Sequence, residues 1–235
     1  MNEILSRTKR LFCIIAALSL FPLSLGAQVL SSRAFIRSQI KHYGECRSIA
    51  FTKNGASLMI YGKNGFATNS CPKVLVSTLE SVNSQDFSID DVQLSESGGW
   101  LVLYNKLSCS WEKVPSDLES KIRNTYAANK PLRLAAFNDA GEWVAMDVDS
   151  KIYTSSQELR DWIDEGLRMM GALRYVCISE DAKIAIFESG YRAVGELPEP
   201  LRKALNEADF KVGCVKTAGD SWFISDGIKK YECNF

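Results

Sequence analysis

Five stretches of this chain align on a single position without gaps. They are RSIAFTKNGASLMI (47–60), DDVQLSESGGWLVL (90–103), RLAAFNDAGEWVAM (133–146), RYVCISEDAKIAIF (174–187) and VGCVKTAGDSWFIS (212–225). A period of this length makes one supersecondary unit the building block, so the repeat limits the fold more than any other feature does. The anchor is Ser57, Trp100, Trp143, Ile184 or Trp222, at spacings of 43, 43, 41 and 38 residues. Five residues earlier stands Thr52, Ser95, Asn138, Ser179 or Thr217, residue types that open a turn by bonding their own backbone. Gly55, Gly98 and Gly141 follow three residues later and suit a positive-φ hairpin position. Ala182 replaces the glycine in the fourth copy, and Gly219 is displaced by one in the fifth. β-rich runs on both sides predict two strands in each copy.

A second turn signal (KNG 63–65, ESG 188–190, SDG 225–227) predicts a third short strand. Helices then begin at CPKVL (71–75), VPSDL (114–118), SSQEL (155–159) and LPEPL (197–201), each marked by a proline or a serine cap. Apolar residues recur behind them at helical spacing, such as Leu118, Ile122 and Tyr126. The expected unit is therefore βββα, with boundaries about 46–85, 86–129, 130–171, 172–209 and 210–235. The last unit lacks its helix, while residues 32–43 supply a helix with no strands before it and Gly44 as its stop. The piece missing at one end is the spare piece at the other, which predicts closure into a ring. The expected fold is mainly β with repeated helices, five βββα units in a propeller-like ring whose N-terminal helix completes the last unit. An open solenoid would instead need polar caps at both ends.

This pattern resembles a β-propeller, and in blade number the five-bladed lectin propellers. The resemblance covers residues 30–235 and is architectural. The GH…WD signature is absent, three strands and a helix stand where a typical blade has four strands, and no binding residue carries over.

The chain opens MNEILSRTKRLFCIIAALSLFPLSLGAQ, with Arg7, Lys9 and Arg10 ahead of an apolar run and small residues at its end. This layout predicts a secretory signal peptide over 1–27, cleaved near Gly26 or Ala27 and leaving one repeat domain over 28–235. The expected location is periplasmic or extracellular. Removing those residues takes three bases and one acid, leaving 25 Lys+Arg against 27 Asp+Glu. No basic excess remains to attract nucleic acid, and no later apolar run is long enough to span a membrane. Six cysteines stay in the mature chain (Cys46, Cys71, Cys109, Cys177, Cys214, Cys233), which predicts one or two disulfides of unassigned pairing. Cys177 and Cys214 lie in apolar strand runs and suit buried thiols.

Catalytic signals are thin. His42, the one histidine, sits at a helix C-terminus where the dipole favours it. There is no GxSxG context and no Cys/His pair at zinc-ligand spacing. The DVD of 147–149 lacks the remaining calcium ligands of an EF-hand. No catalytic, cofactor or metal residue is assigned, and no cofactor is expected. The anchor tryptophans read as packing residues, because their position also accepts Ile and Ser. Trp162 fits the buried face of its helix, whereas Trp111 in SCSWEK reads as a contact residue. The expected function is a non-enzymatic binding module that meets a glycan or protein through its inter-strand loops. Candidate contacts are Trp111, Asn54, Glu96, Asp139, Glu142 and Glu180. The alternatives are an exported hydrolase using paired carboxylates and a structural envelope protein.

Overall fold

The computed structural model describes residues 31–235, so the expected signal peptide lies outside the described residues. The first element is a helix, α1 (Ser32–Tyr43). Ser31 Oγ caps it by accepting from the Ala34 N–H at 3.3 Å, and Gly44 stops it in the left-handed region at φ 74°. Sheet 1 follows as β1 (Ser48–Phe51), β2 (Ser57–Tyr61) and β3 (Gly65–Asn69), and then α2 (Lys73–Ser84). Sheet 2 is β4 (Ile89–Leu94), β5 (Trp100–Tyr104) and β6 (Ser108–Glu112), followed by α3 (Ser116–Ala127). Sheet 3 is β7 (Leu132–Phe137), β8 (Trp143–Asp147) and β9 (Ile152–Thr154), followed by α4 (Gln157–Met170). Sheet 4 is β10 (Leu173–Ile178), β11 (Ala182–Phe187) and β12 (Tyr191–Gly195), followed by α5 (Glu199–Glu207). Sheet 5 closes the chain with β13 (Cys214–Ala218), β14 (Ser221–Ser225) and β15 (Tyr231–Cys233). The described residues thus form a mixed α/β protein of five three-stranded antiparallel sheets, each a simple meander, with five helices.

Pro72, Pro115 and Pro198 stand at the N-caps of α2, α3 and α5, where their fixed φ of −51° to −54° turns an outgoing strand into a helix. The helices lean on the sheet that comes after them. α1 packs on β2 and β3, α3 on β7 and β8, and α5 on β14, while α2 and α4 touch sheets on both sides. Against the expectation that this helix completes the last unit, α1 packs mainly on sheet 1, and it reaches sheet 5 with the Arg33 Nε bond to Ser221 Oγ at 2.7 Å. The reason is its apolar side: Phe35 and Ile36 are buried in a cluster with Met59 of β2.

The first hairpin of each sheet is not uniform, contrary to the gapless alignment. In sheets 1 to 3 the anchor residue opens the second strand and pairs with Phe51, Leu94 or Phe137 across a five-residue loop. Gly55, Gly98 and Gly141 hold φ of 95°, 85° and 84° in those loops, as the turn requires. In sheet 4 the ladder runs on to Ile178 and Lys183, and in sheet 5 to Ala218 and Ser221, leaving only Gly219 and Asp220 as the turn.

The first strand of each sheet lies against the first strands of its neighbours: β1 meets β4 and β13, β4 meets β7, and β10 meets β7 and β13. Sheets 1 and 2 enclose one apolar cluster around Leu58, Ile60, Leu79 and Trp100, and sheets 2 and 3 a second around Leu101, Leu118 and Trp143. The largest cluster runs through sheets 3, 4 and 5 to sheet 1 and α1. Trp100, Trp143 and Trp222 are all buried, as their shared position predicted. Each such side chain contributes about 1.5–3 kcal/mol by leaving water. All six described cysteines are free thiols, which corrects the expected disulfides. Cys71 and Cys109 pack separately against the first and second clusters, so neither meets a partner, and the others are spent as small apolar fillers.

Candidate functional site

The sheets place three polar zones along the first strands: a hairpin end, a buried middle and an opposite mouth. Five of the six predicted contact residues stand at the hairpin end, where they bond neighbouring units. Glu96 accepts from the Lys53 and Asn54 N–H groups at 2.7 and 3.3 Å, and Asn54 Nδ2 donates to the Glu96 carbonyl at 3.3 Å. Asp139 accepts from the Ser97 N–H at 2.7 Å and Oγ at 2.6 Å. Glu180 accepts from the Asp139 N–H at 2.8 Å. One repeat position thus supplies a carboxylate that caps the hairpin one unit earlier. Glu142, on the same hairpins, accepts from Asn138 Nδ2 at 3.0 Å and pairs with Lys183 of sheet 4 at 2.7 Å.

Ala218 of the fifth unit has no carboxylate to give, and the junction is made differently. Gly219 N–H donates to Asp181 at 2.9 Å, and Lys53 Nζ reaches over the short fifth turn to the same carboxylate at 2.6 Å. The Lys53 hydrogen bond holds the Asp181 carboxyl below its ordinary pKa and lifts Lys53 above its own. Burial works to raise Asp139, but its bonds to Ser95 and Ser97 outweigh it and bring the carboxyl below the usual value. The hairpin-end cavity beneath these bonds is small, about 40 Å³.

Trp111 lies apart, half-buried on β6, with the Arg123 guanidinium of α3 at 5.4 Å from its ring centroid. His42 is exposed at the end of α1, edge-on to the Tyr43 ring. Among the described residues no group of three His, Cys, Asp or Glu side chains has a metal-holding arrangement.

In the middle, Asp91 and Lys216 are buried and paired at 3.4 Å. Asp91 also accepts from the Tyr175 hydroxyl at 2.9 Å and from Gln93 Nε2 at 2.6 Å, and Lys216 donates to the Val92 carbonyl at 2.9 Å. β4, β10 and β13 therefore meet in one hydrogen-bonded network. Its components are mutually satisfied, the condition under which a buried ion pair is tolerated. Burial, then the Asp91 charge, drives the Tyr175 hydroxyl well above its ordinary pKa, and burial pushes the Cys177 thiol to about 11. Both stay protonated at neutral pH.

The opposite mouth was not foreseen. A cavity of about 150 Å³ opens there, lined by Arg47, Asp90, Arg133 and Arg174 above a floor that includes Asp91 and Tyr175. Asp90, Arg133 and Arg174 are each the extra residue where the strand register shifts, between Ile89 and Asp91, Leu132 and Leu134, and Leu173 and Tyr175. Such bulges re-aim a side chain away from the ladder. Arg47 is anchored by donating to the carbonyls of Gly62 and Ile89. Burial lowers its pKa, with Asp90 and Asp91 acting against that shift. Arg133 is exposed and among the described residues hydrogen-bonds to the Met146 sulfur alone, at 3.4 Å, and the buried Nη1 of Arg174 has no hydrogen-bond partner among them. Neither belongs to any ion pair among the described residues. The signal was present in the sequence: Arg47, Asp90, Arg133 and Arg174 head four of the five aligned lines. The two carboxylates at the mouth differ in role, since Asp91 is committed to the buried network while Asp90 accepts from Ser88 Oγ and the Lys106 N–H.

Known protein families give no match to the chain, and neither do curated proteins.

Proposed function

We propose that the chain is an exported, non-enzymatic binding module, a propeller-like closed ring of five sheets whose ligand is met at the arginine mouth. Closure is supported by the packing of β13 on β1, by Ser225 Oγ donating to the Arg47 carbonyl at 2.7 Å, and by the contact of Ser48 with Cys214 at 3.4 Å. The apolar cluster that passes from sheet 5 to sheet 1 supports it as well. The observation that carries the functional reading is the pair of bulge-borne guanidiniums, Arg133 and Arg174, which line one cavity and belong to no ion pair among the described residues. The buried Nη1 of Arg174 lacks a hydrogen-bond partner among the described residues, which is costly in a fold, and a ligand that meets it relieves that cost while the exposed Arg133 beside it adds its charge. At the hairpin end, by contrast, the carboxylates already bond neighbouring units.

The test is a screen of the purified chain, residues 28–235, against panels of glycans and peptides by thermal shift. A ligand that binds only the folded state raises the melting temperature by mass action. The expected hit is lost on filling the mouth by Ser48→Phe. A panel with no hit, or a hit indifferent to that substitution, overturns the reading.

A further inference from the structure

Three positive side chains, Arg47, Arg133 and Arg174, and two carboxylates, Asp90 and Asp91, line the mouth. Arg47 is offset by Asp90, and Asp91 by Lys216, so Arg133 and Arg174 are left as two unbalanced charges on adjacent first strands. The same two arginines also line an adjoining groove of about 410 Å³, where Lys211 and Glu188 stand opposite in sign to one another. The guanidinium fork is matched to oxyanions, and two forks converging on one cavity suit a single group of two or more oxygens. The cavity's volume corresponds to about five waters, which is room for an oxyanion head. The groove has room for the rest of such a molecule.

We infer that the mouth binds the oxyanion head of a small soluble ligand, a phosphate monoester or a sugar acid, held between Arg133 and Arg174 with its remainder in the groove beside them. This rests on the mouth being the ligand end of the molecule. A neutral glycan would leave both guanidiniums unmatched.

Isothermal titration of the full mature chain at fixed ionic strength, with inorganic phosphate, glucose 6-phosphate, glucuronate and glucose as probes, decides it. Binding of at least one oxyanion and none of glucose is expected. The two phosphates against glucuronate show which source of the oxyanion the site prefers. Arg133→Gln and Arg174→Gln should each weaken binding by about tenfold or more, since each removes a charge-assisted hydrogen bond. Asp90→Asn should tighten it, and Lys203→Gln on the exposed face of α5 should leave it unchanged. Because Arg133 and Arg174 make so few internal contacts, their variants should melt where the parent does in the absence of probe, which separates lost binding from lost fold. Oxyanion binding that survives both arginine substitutions, or no oxyanion binding at all, overturns the inference. Glucose binding that Ser48→Phe abolishes would overturn it too while leaving the mouth as the ligand end.

Discussion

Asp91 shows how much one residue holds in this fold. It accepts from Tyr175 and Gln93 and faces Lys216, and both charged partners are less than a tenth exposed. Removing one member of such a pair leaves the other buried and uncompensated, which costs about 3–5 kcal/mol. Asp91→Ala is therefore expected to destabilise the chain by about that amount in urea denaturation, and Lys216→Ala somewhat less, because its loss leaves Asp91 two donors. The double variant Asp91→Asn with Lys216→Met should recover most of the loss, since it removes both charges while keeping volume. An Asp91→Ala chain as stable as the parent would show that the network contributes no net stability.

Sequence spacing identified the elements well, and the bonds between elements poorly. The helix expected over 32–43 is α1 itself, and the turn glycines lie at positive φ in the first three hairpins. Those features are local, set by caps, turns and apolar period. The use of Glu96, Asp139 and Glu180 as caps on the neighbouring hairpin depends on tertiary placement, although their repeat spacing held the clue. Mid-helix Gly166 is another case. A Cβ there would meet the Phe187 ring 2.1 Å away, a close approach set by tertiary placement. The hairpin bonds carry a pH signature. Asp139 and Asp181 have folded-state pKa values below their ordinary ones. Their contribution is thus complete above about pH 4 and is lost as pH falls through the lower folded value. The raised Lys53 acts at the other limit, contributing at neutral pH and losing its effect only as pH rises through its folded value. The Asp181 pair with Lys53, at 26% side-chain exposure for the acid, is worth up to about 1 kcal/mol, whereas exposed Asp139 is screened. Melting curves should show Asp181→Asn less stable than the parent at pH 6, with the gap narrowing towards pH 3. A gap constant over that range would mean the carboxylate charge is not what joins the hairpins.

At the scale of the molecule, the repeat made the number and order of strands legible because each unit builds itself from local signals. Where one unit meets the next was legible only as an argument from the chain's ends. The fifth unit's short turn, the reach of Lys53 and the bulges at the mouth are departures from the repeat, and an alignment that rewards sameness discounts departures. The proposed closure separates two energetic behaviours. In an open array each repeat is coupled only to its sequence neighbours, so damage to sheet 1 spreads to sheet 2. In a ring, sheet 5 is equally a neighbour of sheet 1. Ile36 of α1 is fully buried in the cluster that joins them, and Ile36→Ala should cost about 2–5 kcal/mol. Native-state hydrogen exchange on that variant is expected to show protection falling at Val215 and Ile224 at least as far as at Val92 and Val102. The physical reason is that β13 packs directly on β1, and Arg33 of the same helix holds Ser221. Unchanged protection in β13 and β14 beside a weakened sheet 1 would mean the last sheet is stable without the first, and the ring would have to be given up.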